Sequence, residues 1–470
     1  MKIIIVGAGN IGIQIARQLI EENKDVVLID RDPEKIKFAQ NSLDCMVVHG
    51  EANARQTLEA AGIGDADFFI SVTDSDELNM IACGLVSSEF KVPYKIARVR
   101  NIDYSDSRIS DKPFLGIDYV INPEIEAARA ITRSVEHGAT SDIMYFEDSS
   151  FQMRTILAAP TSFFAEKTVK DIKESIGLDF IIAVVLRDND YIIPSGNTVI
   201  QRGDTLYIIG EQETLEAIFS WAGKQRVDLK RVILVGGGRM GSYVARNLLN
   251  KSPFGGKPSV SKLFRNMFTP RAARRLVIIE KDYETCKELA EKFPEALVIN
   301  DDISNEGVLE DGDLMKYDLL IAATKNQELN LVTSLYAKTL GIGRAIALVN
   351  KNNYLKIASN LEIDTTISLN NTMVNTVLKF VRRGNIKNVH AISGGKLEII
   401  EVSCDEGCTF VGKKIKDLKL PHDTLIIFIS NGRDNIIPHG DYAIQYGDHI
   451  ILITRKESIK KLDKMFDQRI

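Results

Sequence analysis

Lys2-Ile3-Ile4-Ile5-Val6-Gly7-Ala8-Gly9-Asn10-Ile11-Gly12 begins as an apolar run that reads as a short buried strand and ends in glycines spaced G-x-G-x-x-G. The spacing predicts a helix from about Asn10 to Glu22, with Ile11, Ile15 and Leu19 on one face. A second strand, Asp25 to Ile29, then runs into Asp30, which lies 21 residues beyond Gly9. Strand, glycines, helix, strand and acid occur in the order of a dinucleotide-binding unit. There the first glycine makes the turn, the second admits a pyrophosphate to the backbone, the third lets helix pack on strand, and the acid accepts a ribose hydroxyl. The phosphates rest on unpaired N–H groups at the positive end of the helix. Glycines at a helix start can also serve only to tighten a turn, but the ordered context speaks against that reading here.

Apolar runs rich in Val and Ile recur at Cys45 to Val48, Asp67 to Val72, Lys95 to Val99 and Asp118 to Ile121, as strands covered on both faces require. Helical stretches fall between them at Pro33 to Asn41, Arg55 to Ala61 and Glu77 to Phe90, and a last helix starts near Pro123. Six strands alternating with helices make a doubly wound parallel sheet, an α/β fold. Thr73-Asp74-Ser75-Asp76-Glu77-Leu78-Asn79 falls where the fourth strand meets its helix, at the carboxyl edge where ligands bind in such sheets. Thr73 and Asp74 are expected to face the crevice, while Asp76 and Glu77 complement the helix dipole. Arg98 ends the fifth strand on the same edge, placed either to reach phosphate or to pair with a surface acid.

The chain has 470 residues, room for several domains, with 26% charged and 44% hydrophobic residues, the balance of a soluble globular protein. A net charge of −5 argues against a nucleic-acid binder. Five scattered cysteines suit a reducing cytoplasm better than a disulfide framework. Cys404 and Cys408 are close, but the flanking histidines do not complete a metal site, and both read as ordinary half-buried thiols. No apolar run is long enough to span a membrane, so the expected location is cytoplasmic, with docking on a membrane protein left open.

From about Ser141 a smaller α+β unit follows, with strands at Gln152 to Leu157, Phe180 to Leu186, Tyr191 to Ile193 and Thr205 to Ile209 and a helix near Val169 to Ser175. Ile193-Pro194-Ser195-Gly196 and Gln201-Arg202-Gly203-Asp204 punctuate it. Then the chain starts again: Arg231 to Val235 lead into Gly236-Gly237-Gly238-Arg239-Met240-Gly241, Glu280 takes the place of Asp30, and Glu328-Leu329-Asn330 repeats Glu77-Leu78-Asn79. Ile437-Pro438-His439-Gly440 and Gln445-Tyr446-Gly447-Asp448 repeat the turns of the small unit. A period this long is a tandem duplication of a two-domain module. The expected domains are 1–135, 141–222, 229–384 and 386–470. The main asymmetry is an insertion at 251–275 with seven basic residues and no acid, expected either to lie against anionic lipid headgroups or to remain a solvated surface loop.

The G-A-G-N-I-G opening, the T-D-x-D-E-L-N segment, the I-P-x-G and Q-x-G-D turns and the duplication together resemble the TrkA family, cytosolic regulatory subunits of bacterial Trk potassium uptake systems. Each half is similar to the RCK, or KTN, domains of potassium channels and transporters. The resemblance covers nearly the whole chain apart from the basic insertion. It implies a homotetramer whose nucleotide-binding lobes sit beneath a TrkH or TrkG type membrane subunit and bias its pore. It also implies NAD(H), with ATP or ADP as further ligands. Carried over residue by residue, the first site falls on Gly7, Ala8, Gly9, Asn10, Ile11 and Gly12, Asp30, Glu51, Thr73, Asp74 and Arg98. The second falls on Gly236, Gly237, Gly238, Arg239, Met240 and Gly241, Glu280, Thr324 and Lys325.

The competing reading is an NAD-dependent oxidoreductase, since fold alone does not choose a function. Such an enzyme needs a proton donor or acceptor facing the nicotinamide, and neither small unit carries a constellation of that kind. A redox-sensing repressor would need a basic DNA-binding module, which is missing. Asp30 predicts NAD(H) over NADP(H), because a 2′-phosphate would bring like charges together. The two crevices are expected to differ, since Asn10, Asp74 and Arg98 correspond to Arg239, Lys325 and Leu348, a net gain of about two positive charges in the second.

Overall fold

A computed structural model describes residues 1–101, 114–136, 143–146, 149, 151–159, 162–188, 190–221, 229–249, 274–310, 312–361, 363–381, 386–392, 397–404, 408–421, 423–431, 435–458, 461–462 and 465. The basic insertion up to residue 273 lies outside them. Two compact units form, one from residues 1–141 and 228–381, the other from 142–227 and 382–470.

The first unit holds two parallel sheets. One is built from β1 (Lys2–Val6), β2 (Asp25–Asp30), β3 (Met46–His49), β4 (Phe68–Ser71), β5 (Tyr94–Arg98) and β6 (Tyr119–Ile121), interleaved with α1 (Asn10–Glu21), α2 (Pro33–Ser42), α3 (Arg55–Ala60) and α4 (Asp76–Glu89) and followed by α5 (Pro123–Glu136). Its spatial order is β3-β2-β1-β4-β5-β6. The strand order reverses between β1 and β4, which opens a crevice at their carboxyl ends. Ile3, Ile4 and Ile5 are fully buried because helices cover both faces of β1, and this is why the strand reads as an unbroken apolar run.

The small unit of the first half comprises β7 (Ile143–Tyr145), β8 (Phe151–Leu157), α6 (Val169–Ile176), β9 (Phe180–Arg187), β10 (Asp190–Ile192), β11 (Thr205–Glu211) and α7 (Gln212–Trp221). Its five strands are antiparallel, in the order β10-β9-β11-β8-β7. The short edge strand β7 and helix α7 were not marked by the turn signals that delimited the other elements. A capping box fixes the start of α6, where Thr168 Oγ1 accepts the Asp171 N–H at 3.1 Å and the Asp171 carboxylate accepts the Thr168 N–H in return.

The second half repeats both. Its parallel sheet runs through β12 (Arg231–Val235), α8 (Arg239–Leu248), β13 (Arg275–Glu280), α9 (Tyr283–Lys292), β14 (Leu297–Asn300), β15 (Leu319–Ala322), α10 (Gln327–Thr339), β16 (Arg344–Val349), α11 (Asn352–Asn360), β17 (Thr365–Ser368) and α12 (Leu369–Val381), in the order β14-β13-β12-β15-β16-β17. Its small sheet uses β18 (Ile386–Ile392), β19 (Leu397–Ser403), β20 (Thr424–Ser430), β21 (Asn435–Ile436) and β22 (His449–Arg455), in the order β18-β19-β22-β20-β21.

The last helix of each parallel sheet leaves its own sheet and packs on the other. Ala127, Ala128, Ile131 and Val135 of α5 join the core built by Val232, Leu234, Val244 and Leu248 of the second half. Met373, Val374, Val377, Leu378 and Val381 of α12 join Ile11, Ile15, Leu19 and Ile5 of the first. Each large side chain buried this way contributes about 2 kcal/mol, so the exchange ties the two glycine-bearing helices α1 and α8 firmly to elements of the opposite half.

The Q-x-G-D turns are held differently in the two small sheets. Arg187 donates to both Asp204 oxygens, at 2.9 Å and 2.7 Å, and the Gln201 N–H donates to Asp204 at 2.7 Å. In the repeat, Asp448 accepts the Gln445 N–H and the Tyr442 hydroxyl. Burial followed by this bond pushes the Tyr442 pKa up to about 12. Burial alone would raise the Asp204 carboxyl, but the bonds from Arg187 and Gln201 outweigh it and hold its pKa below the ordinary 3.8. A depressed carboxyl pKa contributes stability above the unfolded value and loses it as pH falls through the folded one. Asp204→Asn should therefore cost about 3 kcal/mol near neutral pH. The gap in melting temperature from wild type should close as the pH is taken below 3.8, which a pH series of thermal melts would show.

Candidate functional site

Gly7 adopts φ +104° and Gly236 φ +96°, a left-handed turn that only glycine makes without strain. The three glycines of each motif then divide their tasks by space. A Cβ on Gly12 would stand 1.8 Å from the Gly7 carbonyl oxygen, and one on Gly241 would stand 1.9 Å from that of Gly236. The third glycine therefore permits α1 and α8 to close on their strands. A Cβ on Gly9 or on Gly238 would meet nothing within 4 Å. The second glycine thus faces open space, although nothing in the protein's own packing demands a glycine there. These same residues begin the two helices, and neither supplies a side-chain cap, so the first N–H groups of α1 and α8 face the opening.

The acid at the end of the second strand is bonded to the glycine turn. Asp30, 9% exposed, accepts the Ala8 N–H at 2.6 Å on one oxygen and the Asp32 N–H at 2.9 Å on the other. Glu280 repeats this with the Gly237 N–H at 2.6 Å and the Asp282 N–H at 2.9 Å. Each carboxylate keeps further lone pairs for a ligand hydroxyl beside the turn.

Thr73 and Thr324 close the other wall. Their backbones lie 3.0 to 3.1 Å from where a Cβ on Gly7 or Gly236 would stand. Asn79 clamps the first loop, its Oδ1 accepting the Thr73 N–H at 2.9 Å and hydroxyl at 2.7 Å, while its amide donates to the carbonyls of Thr73 and Arg98. Asn330 does the same for Thr324 and Leu348. Asp76 lies in the first turn of α4 and is also buried, its Oδ2 accepting the N–H groups of Arg100 and Asn101, both at 2.8 Å. In the repeat the neutral Gln327 accepts the Asn350 and Lys351 N–H groups. These clamps carried no assigned role in the sequence reading, although Asn79 and Asn330 stood in the quoted repeat, each six residues beyond its threonine.

Arg98 takes up the second reading offered for it, pairing with a surface acid. Its Nη1 donates to the Thr73 carbonyl at 3.3 Å and to Asp74 at 3.5 Å, while its Nε is buried without a hydrogen-bond partner. Burial, then the nearby Arg100, lowers its pKa. Asp74 and Lys325 are exposed, as are Asn10 and Arg239, while Ile11 and Met240 are buried under the turns. Glu51 is half exposed and pairs with Arg31, the neighbour of Asp30, at 3.8 Å. The repeat holds a matching Lys281–Asp302 pair at 3.9 Å, two further residues that the sequence reading left out.

A residue of the first half pairs with the second glycine turn. Glu124, at the start of α5, accepts a hydrogen bond from Arg239 at 3.1 Å, and its second oxygen is buried without a partner. Burial raises the Glu124 pKa against the pull of Arg239, Arg100 and Arg98. The reciprocal contact joins Gln14 of α1 to Asn371 of α12 at 2.7 Å. Helix exchange brings these partners together across long stretches of sequence.

The TrkA-N domain model matches residues 3–123 and 261–369, and the TrkA-C domain model matches residues 153–223 and 399–467. The chain is 30% identical over 472 residues to the Trk system potassium uptake protein TrkA of Halomonas elongata, covering 99% of this chain and 98% of that one. It is also 30% identical over 475 residues to the protein of the same name from Haemophilus influenzae, again covering 99% and 98%. Among solved structures, the GsuK RCK domain superposes with a TM-score of 0.55 at 18% identity, covering 99% of this chain and 94% of that one. A GsuK channel bound to NAD gives the same TM-score at 19% identity, covering 99% and 78%. With both domain types matched twice, in the order of the two halves, and full-length relatives at this identity, the chain belongs to the TrkA family.

Proposed function

We propose that both crevices bind adenine nucleotides, NAD(H) foremost and ATP or ADP in addition, and that occupancy regulates a potassium-translocating membrane subunit of the TrkH or TrkG type. The observation that carries this reading is the open space over Gly9 and Gly238, each flanked by uncapped helix N–H groups and by an acid bonded to the same turn. The backbones of Gly7 to Ile11 and Gly236 to Met240 would hold a pyrophosphate, and Asp30 and Glu280 a ribose hydroxyl. Thr73, Thr324 and Arg98 would line the remaining wall. The family supports the link to potassium uptake, since full-length relatives carry that name. A homotetramer on the cytoplasmic side of the membrane belongs to the same proposal.

The exchanged helices supply a physical route from ligand to shape. Arg239 at the second glycine turn holds Glu124 of α5, and α1 of the first turn holds Asn371 of α12. A ligand that draws on either turn therefore loads a helix of the other half.

A regulatory reading fits better than a dehydrogenase. His49 stands near the first crevice, but its Nε2 donates to the Arg31 carbonyl at 3.0 Å. In the repeat, Asn300 donates to the matching Lys281 carbonyl, also at 3.0 Å. An amide fills the same role, so the imidazole serves as a backbone donor there.

The test is potassium uptake in native cells lacking this chain. Wild type should restore uptake and co-purify with a potassium-translocating membrane protein. Gly9→Asp/Gly238→Asp should still bind that protein yet lose most of the nucleotide-dependent change in uptake. Full response from the double variant would refute regulation through these crevices.

A further inference from the structure

The second small sheet carries a pair of thiols that the nucleotide crevices do not use. Cys404 follows β19 and is buried, Cys408 is half-buried, and their sulfurs lie 2.8 Å apart. Non-bonded heavy atoms of this size normally meet at about 3.5 Å or more. Two thiolates on one tetrahedral zinc, each at about 2.3 Å, would stand about 3.8 Å apart. The observed spacing is too short for chelation and lies on the way to a disulfide of about 2.05 Å.

The first half shows that the fold does not require sulfur here. Ala158 occupies the place of Cys404: its N–H donates to the Asp204 carbonyl at 2.8 Å and its carbonyl accepts the Gly203 N–H at 2.9 Å. Cys404 makes the same two bonds with Asp448 and Gly447, also at 2.8 Å and 2.9 Å. Four residues on, Ser162 stands where Cys408 stands, and two further on Phe164 and Phe410 are buried as matching anchors. Alanine and serine thus satisfy the same backbone frame, and the Ser162 hydroxyl is buried there with no hydrogen-bond partner. The paired thiols are a chemical difference laid on a shared scaffold.

We propose that Cys404 and Cys408 are a reversible dithiol–disulfide site, oxidised by a small disulfide of the glutathione type. The more accessible Cys408 thiolate attacks one sulfur of the oxidant, forming a mixed disulfide and releasing one small thiol. The Cys404 thiolate then attacks the Cys408 sulfur and expels the second. The protein gives up two protons and two electrons, and the oxidant becomes two thiols. Intracellular disulfides of this kind are transient and redox-sensing, which suits a pair with one half-buried sulfur. Among the other three thiols, burial pushes the pKa of Cys83, Cys286 and Cys45 upward.

The experiment places the reduced full chain in buffers of graded glutathione to glutathione-disulfide ratio, quenches with an alkylating agent after denaturation, and digests with trypsin. Leu397 to Lys413 form one tryptic peptide that contains both cysteines. The expected product is that peptide, unalkylated and lighter by two hydrogens, rising with oxidant in a single two-electron transition while Cys45, Cys83 and Cys286 remain alkylated. Cys408→Ser should give no bridged peptide. Cys404→Ala/Cys408→Ser, which reproduces Ala158 and Ser162, should melt like reduced wild type. A peptide that stays alkylated at both cysteines, or carries glutathione on each, under oxidant that exhausts accessible thiols would overturn the assignment.

Discussion

Gly9→Asp should strongly weaken nucleotide binding in the first crevice without unfolding the protein, whereas Gly12→Ala, three residues on, should act by destabilising the fold itself. At Gly9 a new side chain enters open space, and the backbone there, φ −75° and ψ −176°, is one that aspartate adopts readily. Aspartate is also a favoured helix N-cap, so the melting temperature should hold or rise slightly. Its carboxylate would occupy the pyrophosphate position and meet like charge, which should weaken NADH binding on the order of a hundredfold, about 2.7 kcal/mol. At Gly12 the added carbon would stand 1.8 Å from the Gly7 carbonyl oxygen, against backbone that cannot swing aside. The helix must then back away from its strand, at a cost of about 3 kcal/mol. Calorimetric titration and thermal melts of the two variants, measured side by side, would separate the binding glycine from the packing glycine.

The second large effect concerns the difference between the crevices. Counting charges along the sequence gave the second crevice about two more positive charges than the first. The ion pair between Arg239 and Glu124 lowers that surplus to about one. It also gives Arg239 a partner that a phosphate must displace. Arg239 is 60% exposed, so the screened gain from an added phosphate charge is about 1 kcal/mol. We expect Gly9→Asp, with only the second crevice intact, to favour ATP over NADH by about fivefold relative to Gly238→Asp. Glu124→Gln in the Gly9→Asp background should widen that preference, because Arg239 is then released to the ligand. Equal ratios in the two single-crevice proteins would remove the charge argument.

Much of this architecture was legible because the parallel strands are buried on both faces. Runs such as Ile3 to Val6 and Leu276 to Ile279 could be little else, and the glycine spacing fixed where each helix begins. The packing role of Gly12 followed from spacing alone, since it acts on backbone a few residues away. The exchange of α5 and α12 was not legible. An amphipathic helix declares that it has a buried face, but Ala127, Ile131 and Val135 would suit either sheet equally well. Glu124 was missed for the same reason, because its partner Arg239 lies 115 positions further along the chain. Asp76 does sit in the first turn of its helix, as expected, but its bonds to the chain after β5 were not legible. Only the fold brings the chain after β5 back onto it.

The most direct measurement is calorimetric titration of NADH into wild type, Gly9→Asp, Gly238→Asp and the double variant, each confirmed as folded by its melting curve. The account predicts that each single variant keeps binding only in its intact crevice and that the double variant releases no heat of binding. A folded double variant that binds NADH with wild-type affinity would show that the glycine turns are not where the nucleotide sits.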